Sequence, residues 1–489
     1  VLLLFVLIQK VTKKSRRKNA STLMSHAHPA FSSEQRTSRP ALLLRIHAYI
    51  FFATSKNPYS QFYNQKKLIP TMPKSTKNIL LFLCLWLVTG AMTKVFSGTI
   101  RVGKTRTVKS IRLAIRMAEA GDTIFVDKGL YREGNIIIDK PLVLKGIDNP
   151  VLDGQKKFEI LSVKSPYVTI DGFLVKASGQ SSMQDIAGIR VYNTHNVTVT
   201  GNTLEDNFFG IYMQQSKHCV VKNNRLTAFG KAEHLIGNGI HSWKSDSLFI
   251  SNNFITGHRD GIYLEFTTNS EVEKNMSDRN LRYGLHFMFA HHNNYTYNTF
   301  SNNGAGVAVM YTNHVNMKKN IFKDNWGDSA YGILLKEISD SHIEDNEFSG
   351  NTMAIFMEGA SRIRINNNKF NANGWALKIQ ASCMENRIEQ NNFRGNTFDV
   401  ATNSSLVLNT FDKNYWDKYE GYDLNKDGIG DVPYRPVSLF SMIVERYPPA
   451  MILFRSFMVT LLDRTEKMIP GMTPEQLKDT MPVMKPLNL

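Results

Sequence analysis

From Gly188 to Ala376 short apolar runs alternate with polar residues. One unit returns about every 22 residues: Gly-Ile-x-apolar, a few polar residues, a β-rich stretch, then Asn-x-Phe or Asn-x-Leu. The Gly or Ala that opens each unit stands at 188, 210, 239, 261, 284, 306, 332, 354 and 376. A second marker keeps step, because Asn202, Asn224, Asn252, Asn298, Asn320, Asn346, Asn368 and Asn391 each precede a Leu or Phe by two. Alternation within runs such as Gly261-Ile-Tyr-Leu-Glu265 predicts short strands. A unit this short cannot bury its own apolar side, whereas stacked coils share one continuous core. The pattern therefore predicts an all-β chain, a right-handed parallel β-helix of roughly 11 or 12 coils spaced about 4.8 Å apart. The repeated Asn is expected in a left-handed turn, bonded to its equivalent one coil on. Helical repeats are excluded by the β-branched, Asn-rich content, and leucine-rich repeats by the missing Leu-x-x-Leu-x-Leu frame.

The ends depart from the repeat. Val108, Ile111, Ala114, Ile115 and Ala118 fall at helical spacing before Gly121, which predicts a helix capping the open end of the core. Beyond residue 436 the apolar runs Leu439 to Val444 and Met451 to Leu462, split by Pro448-Pro449, predict a helical tail over 437–489. Its Phe440, Phe454 and Phe457 are candidates for contact with a partner. Between the two, Asp423, Asn425, Asp427 and Asp431 place oxygens at alternate positions around Gly428, as in the opening of a calcium loop, although Tyr434 stands where the bidentate Glu belongs.

Charge changes the picture only at the N-terminus. The chain carries +17, but residues 1–71 hold 12 Lys and Arg against Glu34 alone, which leaves +6 for residues 72–489. A nearly balanced body gives no support to a nucleic-acid partner. Met72-Pro-Lys74-Ser-Thr-Lys77, the apolar Ile79 to Val88 and the small-residue junction before Gly98 predict a cleavable signal peptide over 72–97. Residues 1–71 are expected to be a disordered upstream extension with Met72 as the true start, and 98–436 to be the β-helix. Cys219 and Cys383 lie about seven coils apart and are not expected to pair.

Residues at one phase of a stacked coil form a column on the outside. The second position after each repeat Gly gives Arg190, Tyr212, His241, Tyr263, His286, Ala308 and Leu334; the fourth gives Tyr192, Gln214, Trp243, Glu265, Met288, Met310 and Lys336. One face thus gathers His241, His286, Met288 and Met310 around Glu265. Imidazole with thioether favours Cu(I). His291 and His292, with His258, offer a rival set. Asp260, Glu265, Arg259 and Arg282, beside Trp243 and Tyr263, keep open a polysaccharide-binding or polysaccharide-cleaving reading.

Several longer runs are more specific than the repeat. Asn238-Gly-Ile-His-Ser-Trp243, Gly257-His-Arg-Asp-Gly-Ile-Tyr-Leu-Glu-Phe266, Leu281-Arg-Tyr-Gly-Leu-His-Phe-Met-Phe289 and Asn414-Tyr-Trp-Asp through Pro433-Tyr-Arg-Pro-Val-Ser-Leu-Phe440 resemble the NosD family, over roughly Thr99 to Pro470. That resemblance implies a non-enzymatic periplasmic accessory, peripheral to the inner membrane, in the maturation of nitrous oxide reductase. It further implies an ABC-type permease and ATPase, a copper chaperone lipoprotein and the reductase as partners, with transient Cu(I), or sulfur, as cargo.

Overall fold

The computed structural model describes residues 97–181, 184–230, 232–403, 408–454, 456–468 and 477–489. Residues 1–71, expected to be an upstream extension, and nearly all of 72–97, expected to be a signal peptide, lie outside the described residues. Three long sheets run side by side, of 14, 12 and 13 strands among the described residues, and each coil gives one strand to each sheet. Every pairing within them is parallel, as in Ile262 on Leu285 and Leu285 on Val307. The rod is longer than the repeat markers predict. Its first strand is Thr99–Val102, and the coils before Gly188 keep the inward apolar alternation without the Gly and Asn signals.

The core is continuous from Val102 to Leu477. On one sheet Phe300, Phe322, Phe348, Phe370, Phe393 and Trp416 stack rung on rung, with ring centroids 4.1 to 5.5 Å apart. Beside them runs an amide ladder: Asn202, Asn224, Asn253, Asn275, Asn298, Asn320, Asn346, Asn368, Asn391 and Asn414. The Oδ1 of Asn320, for example, accepts from both N and Nδ2 of Asn298, at 2.9 and 3.0 Å, and Asn320 Nδ2 donates to the Tyr295 carbonyl. Buried amides must be paired, and here each rung pairs the next.

Two expectations about this ladder are corrected. Asn253 occupies the rung assigned to Asn252, and Asn275, which precedes Ser277 rather than Leu or Phe, is a full member. The left-handed residue is the one before each rung, for example Asn252, Lys274, Tyr297 and Lys319, with φ of 52 to 56°. Such a conformation costs roughly 1–2 kcal/mol for a residue with a Cβ, and the bonded rung that follows offsets it. The repeat glycine has a different cause, close approach of the coils. A Cβ on Gly261, Gly284 or Gly306 would lie 2.6 Å from the carbonyl oxygen of the repeat glycine one coil on.

Helix α1 (Ile111–Met117) caps the rod as predicted, burying Ile111, Ala114 and Ile115. The Glu133 carboxylate, from a later coil, accepts from its free Ile111 and Arg112 amides at 2.8 and 3.0 Å. At the other end α2 (Leu439–Arg446) and α3 (Phe457–Met468) flank a short 3-10 turn, Pro448–Leu453. The tail is not helical throughout, because residues 477–489 return to the rod. Asp479 is fully buried and accepts from Asn414 N, Asn414 Nδ2 and Trp416 Nε1, all at 3.0 Å, which terminates the ladder. Among the described residues no helix is long and apolar enough to cross a membrane.

Candidate metal-handling face

The outer side of the 12-stranded sheet carries both columns in the register that the sequence phase predicts. Arg190, Tyr212, His241, Tyr263, His286, Ala308 and Leu334 are successive partners, as are Tyr192, Gln214, Trp243, Glu265, Met288, Met310 and Lys336. The first column is a stack of rings. The Arg190 guanidinium lies 4.5 Å over Tyr212, and the centroids from Tyr212 through His241 and Tyr263 to His286 are 4.5, 4.9 and 4.5 Å apart. Although they face outward, Tyr212, His241, Tyr263 and His286 are buried. Arg190, His241, Trp243, Arg259, Tyr263 and Glu265 are among the residues lining a cavity of about 620 Å³ above the sheet.

This geometry divides the predicted copper set. The Tyr263 ring stands between His241 and His286, so the two imidazoles are two rungs apart and do not meet on one ion. His286, Met288 and Met310 do share a corner. Met288 follows His286 by two on the strand Tyr283–Met288, so both face outward, and Met310 is the register partner of Met288. Both thioethers are half-buried, and the Tyr263 hydroxyl donates to Met288 Sδ at 3.5 Å.

The two histidines also differ in protonation. Asp260 is fully buried and receives Arg282 through Nε and Nη2 at 2.9 and 2.6 Å. Although burial pushes its pKa up, bonds from His286 and Arg282 hold it below the ordinary value. This carboxylate only accepts, so His286 Nδ1, 3.4 Å away, carries the proton. Burial pulls the His286 pKa down and keeps the ring neutral. Its Nε2 lone pair is buried with no hydrogen-bond partner. A carboxylate holding one imidazole nitrogen while the other is free is the arrangement that orients histidine for a metal. His241 holds the opposite tautomer, with an Nε2 that is likewise buried and without a hydrogen-bond partner. Its Nδ1 accepts from Asn238 Nδ2 at 3.2 Å, so its proton sits on Nε2, 4.0 Å from Glu265. Burial, with Arg259 adding to it, takes its pKa down to about 3.

The rival histidines are not brought together. His258 is buried inside, where its backbone amide donates to Asn280 Oδ1 in a second turn ladder. His291 and His292 lie on the turn beyond the sheet, where His292 stacks on His314 at 4.7 Å, a residue the sequence reading did not single out. Cys219 and Cys383 are free and buried, and burial pushes the Cys219 thiol up to about 11, so neither offers a ready thiolate. Among the described residues no three His, Cys, Asp or Glu side chains are grouped to hold a metal.

The calcium reading gains no support. Asp423 accepts from the Asp427 and Gly428 amides, Asn425 from Asp427, Asp427 from Ile429, and Asp431 from Leu424, so the loop spends its oxygens on its own backbone. The predicted partner residues also separate. Phe440 is buried against Phe398, Val444 and Val459, and Phe454 packs on the same cluster, which docks the tail on the rod. Phe457 is left 79% exposed, near Ile452, Met458 and Leu461 in sequence.

The fold defines the class: an all-β parallel solenoid, here with an imidazole and two half-buried thioethers at one edge of an outer sheet face. The family described as "Periplasmic copper-binding protein (NosD)" matches residues 116–233 and 227–421, and the chain belongs to that family. A protein of Pseudomonas aeruginosa named "Probable ABC transporter binding protein NosD" is 28% identical over 371 residues, covering 72% of this chain and 86% of that protein. One of the same name from Stutzerimonas stutzeri is 26% identical over 402 residues, covering 72% and 85%. Among solved structures, the catalytic unit of a GH87 α-1,3-glucanase from Streptomyces thermodiastaticus shares the fold, with TM-score 0.53, 13% identity and coverage of 66% and 69%.

Proposed function

We propose that this chain is a non-enzymatic periplasmic accessory that carries copper for assembly of the copper centre of nitrous oxide reductase, working with an ABC-type permease and ATPase. The observation that carries the reading is the free, buried Nε2 of neutral His286, oriented by Asp260 beside Met288 and half-buried Met310. Cu(I) is soft and binds imidazole and thioether where thiols would be oxidised. Asp260 and Arg282 orient the imidazole, Tyr263 holds the Met288 sulfur, and the surrounding burial limits water. Copper would come from a lipoprotein chaperone and pass to the reductase. Residues 72–97 would direct export, and exposed Phe457 with Ile452 and Leu461 would meet the permease. Sulfur as cargo is the variant of this role that the family resemblance leaves beside copper.

The test is Cu(I) titration of the full chain against a competing chelator, with His286→Ala/Met288→Ala alongside. Tight binding that the double variant weakens by more than about tenfold supports copper at this corner. Binding unchanged in the variant removes it. The cavity lined by Trp243 and Tyr263 favours a second reading, saccharide binding, which predicts retention of uronate oligomers without copper.

A further inference from the structure

We infer that His342, Arg364 and Arg387 form a binding site for a phosphate group on the 14-stranded sheet, apart from the imidazole–thioether corner. The three are register partners on successive rungs, about 4.8 Å apart. Elsewhere the rod sets opposite charges in register: Lys145 with Asp171 at 3.2 Å, Lys318 with Glu344 at 2.5 Å, Lys336 with Glu358 at 3.6 Å. Two guanidinium groups directly opposite each other are destabilising, and no core packing requires them, because both side chains are exposed.

The charges around them do not cancel the pair. Lys318 and Glu344 satisfy each other, and Asn366 adds a bond to Glu344. Arg387 reaches only Glu389, at 3.7 Å, and Arg364 has no ion pair among the described residues. Glu389 and its register neighbour Asp412 make the acidic end of the column. Lys318, His342, Glu344, Arg364, Arg387 and Glu389 line a groove of about 320 Å³. A tetrahedral oxyanion seated between Arg364 and Arg387 converts their repulsion into shared charge-assisted hydrogen bonds. His342 fits the same role. Burial, then the positive charges of Arg364 and Lys318, keep its pKa below the ordinary value, so it is neutral in the empty groove and can take a proton when an anion arrives.

The phosphate can be free or carried on a lipid headgroup, and one probe separates the sources. The His342 imidazole is titrated by NMR in the full chain and assigned with His342→Gln. Inorganic phosphate should raise its pKa by about one unit, the effect of a new opposite charge at contact distance. Arg364→Gln should raise the resting value, since a positive neighbour is lost, and abolish the phosphate response. A response to phosphatidylglycerol vesicles without one to inorganic phosphate assigns the site to a headgroup. A His342 that ignores both, while Arg364→Gln still shifts its resting value, overturns the proposal.

Discussion

The outer columns of the 12-stranded sheet have two different fates along one rod. From Arg190 to Met310 they carry stacked rings, two neutral histidines and two register-paired thioethers, with a cavity over the stretch from Arg190 to Glu265. From Leu334 onward the same phases carry Phe356, Lys378 and Ala401, and the tail closes over them: Lys378 pairs with Glu445 at 2.7 Å, and Phe440 and Phe454 pack on Phe398. The inner columns are apolar in both halves apart from buried Thr402 and buried Ser242, which shares a hydrogen bond with Thr267. Stacking thus dictates what faces in and only where an outward residue sits, so the chemistry of the outer face is free to serve function in one half and self-docking in the other.

Changes to the shared interior should hurt most. Phe348→Ala opens a hole in the ring stack and should cost about 3–5 kcal/mol in denaturant unfolding. Asn320→Ala leaves the buried Asn298 amides unpaired and should cost about 2–3 kcal/mol by the same measurement. Equal losses from outward substitutions such as Met310→Ala would erase the distinction between inner and outer columns.

The ring half should also be the acid-sensitive half. His241 has a folded pKa of about 3 against an ordinary 6.5, and His258, buried inside, one of about 4. The unfolded chain takes up protons first, so their contribution is complete above pH 6.5 and is lost as pH falls towards the folded values. Each full unit of depression is worth roughly 1.4 kcal/mol. Near pH 4.5 the His241 share should be roughly 2–3 kcal/mol, and His241→Phe should flatten the acid limb of a stability–pH curve. An unchanged limb would show that the ring is not buried as described.

The smallest stability effect is expected within the tail. Phe440→Ala should free the tail to limited proteolysis, whereas Phe457→Ala should change stability by under about 0.5 kcal/mol and, if the proposed permease contact forms, weaken it. Equal protease sensitivity in the two variants would show that both rings pack on the rod.

The placement of the candidate residues was legible because a parallel, in-register stack turns sequence phase directly into spatial columns. That reasoning placed His286, Met288 and Met310 together across two coils. It failed where contact depends on depth rather than phase. Phase alone grouped His241 with His286, but the intervening Tyr263 ring keeps them apart, and His258, near them in sequence, is buried at a turn where its backbone amide joins a second ladder. Asn252 is off by one because Phe254 stands two beyond it, whereas the rung is Asn253, two before the buried Ile255, and only the bonded partner distinguishes rung from turn. Asp260 and Arg282 were noted as catalytic candidates, whereas the structure commits them to each other and to His286.

The sequence by itself determined the β-helix, its period, its helical cap and the outward columns, because those follow from local alternation and a repeat that each coil obeys independently. Only the tertiary structure decided which histidine nitrogen is free, which phenylalanines the rod consumes, and that Asp479, 65 residues beyond Asn414, ends the ladder. Those facts depend on side chains meeting across coils or from the returning tail, and no local pattern encodes such a meeting.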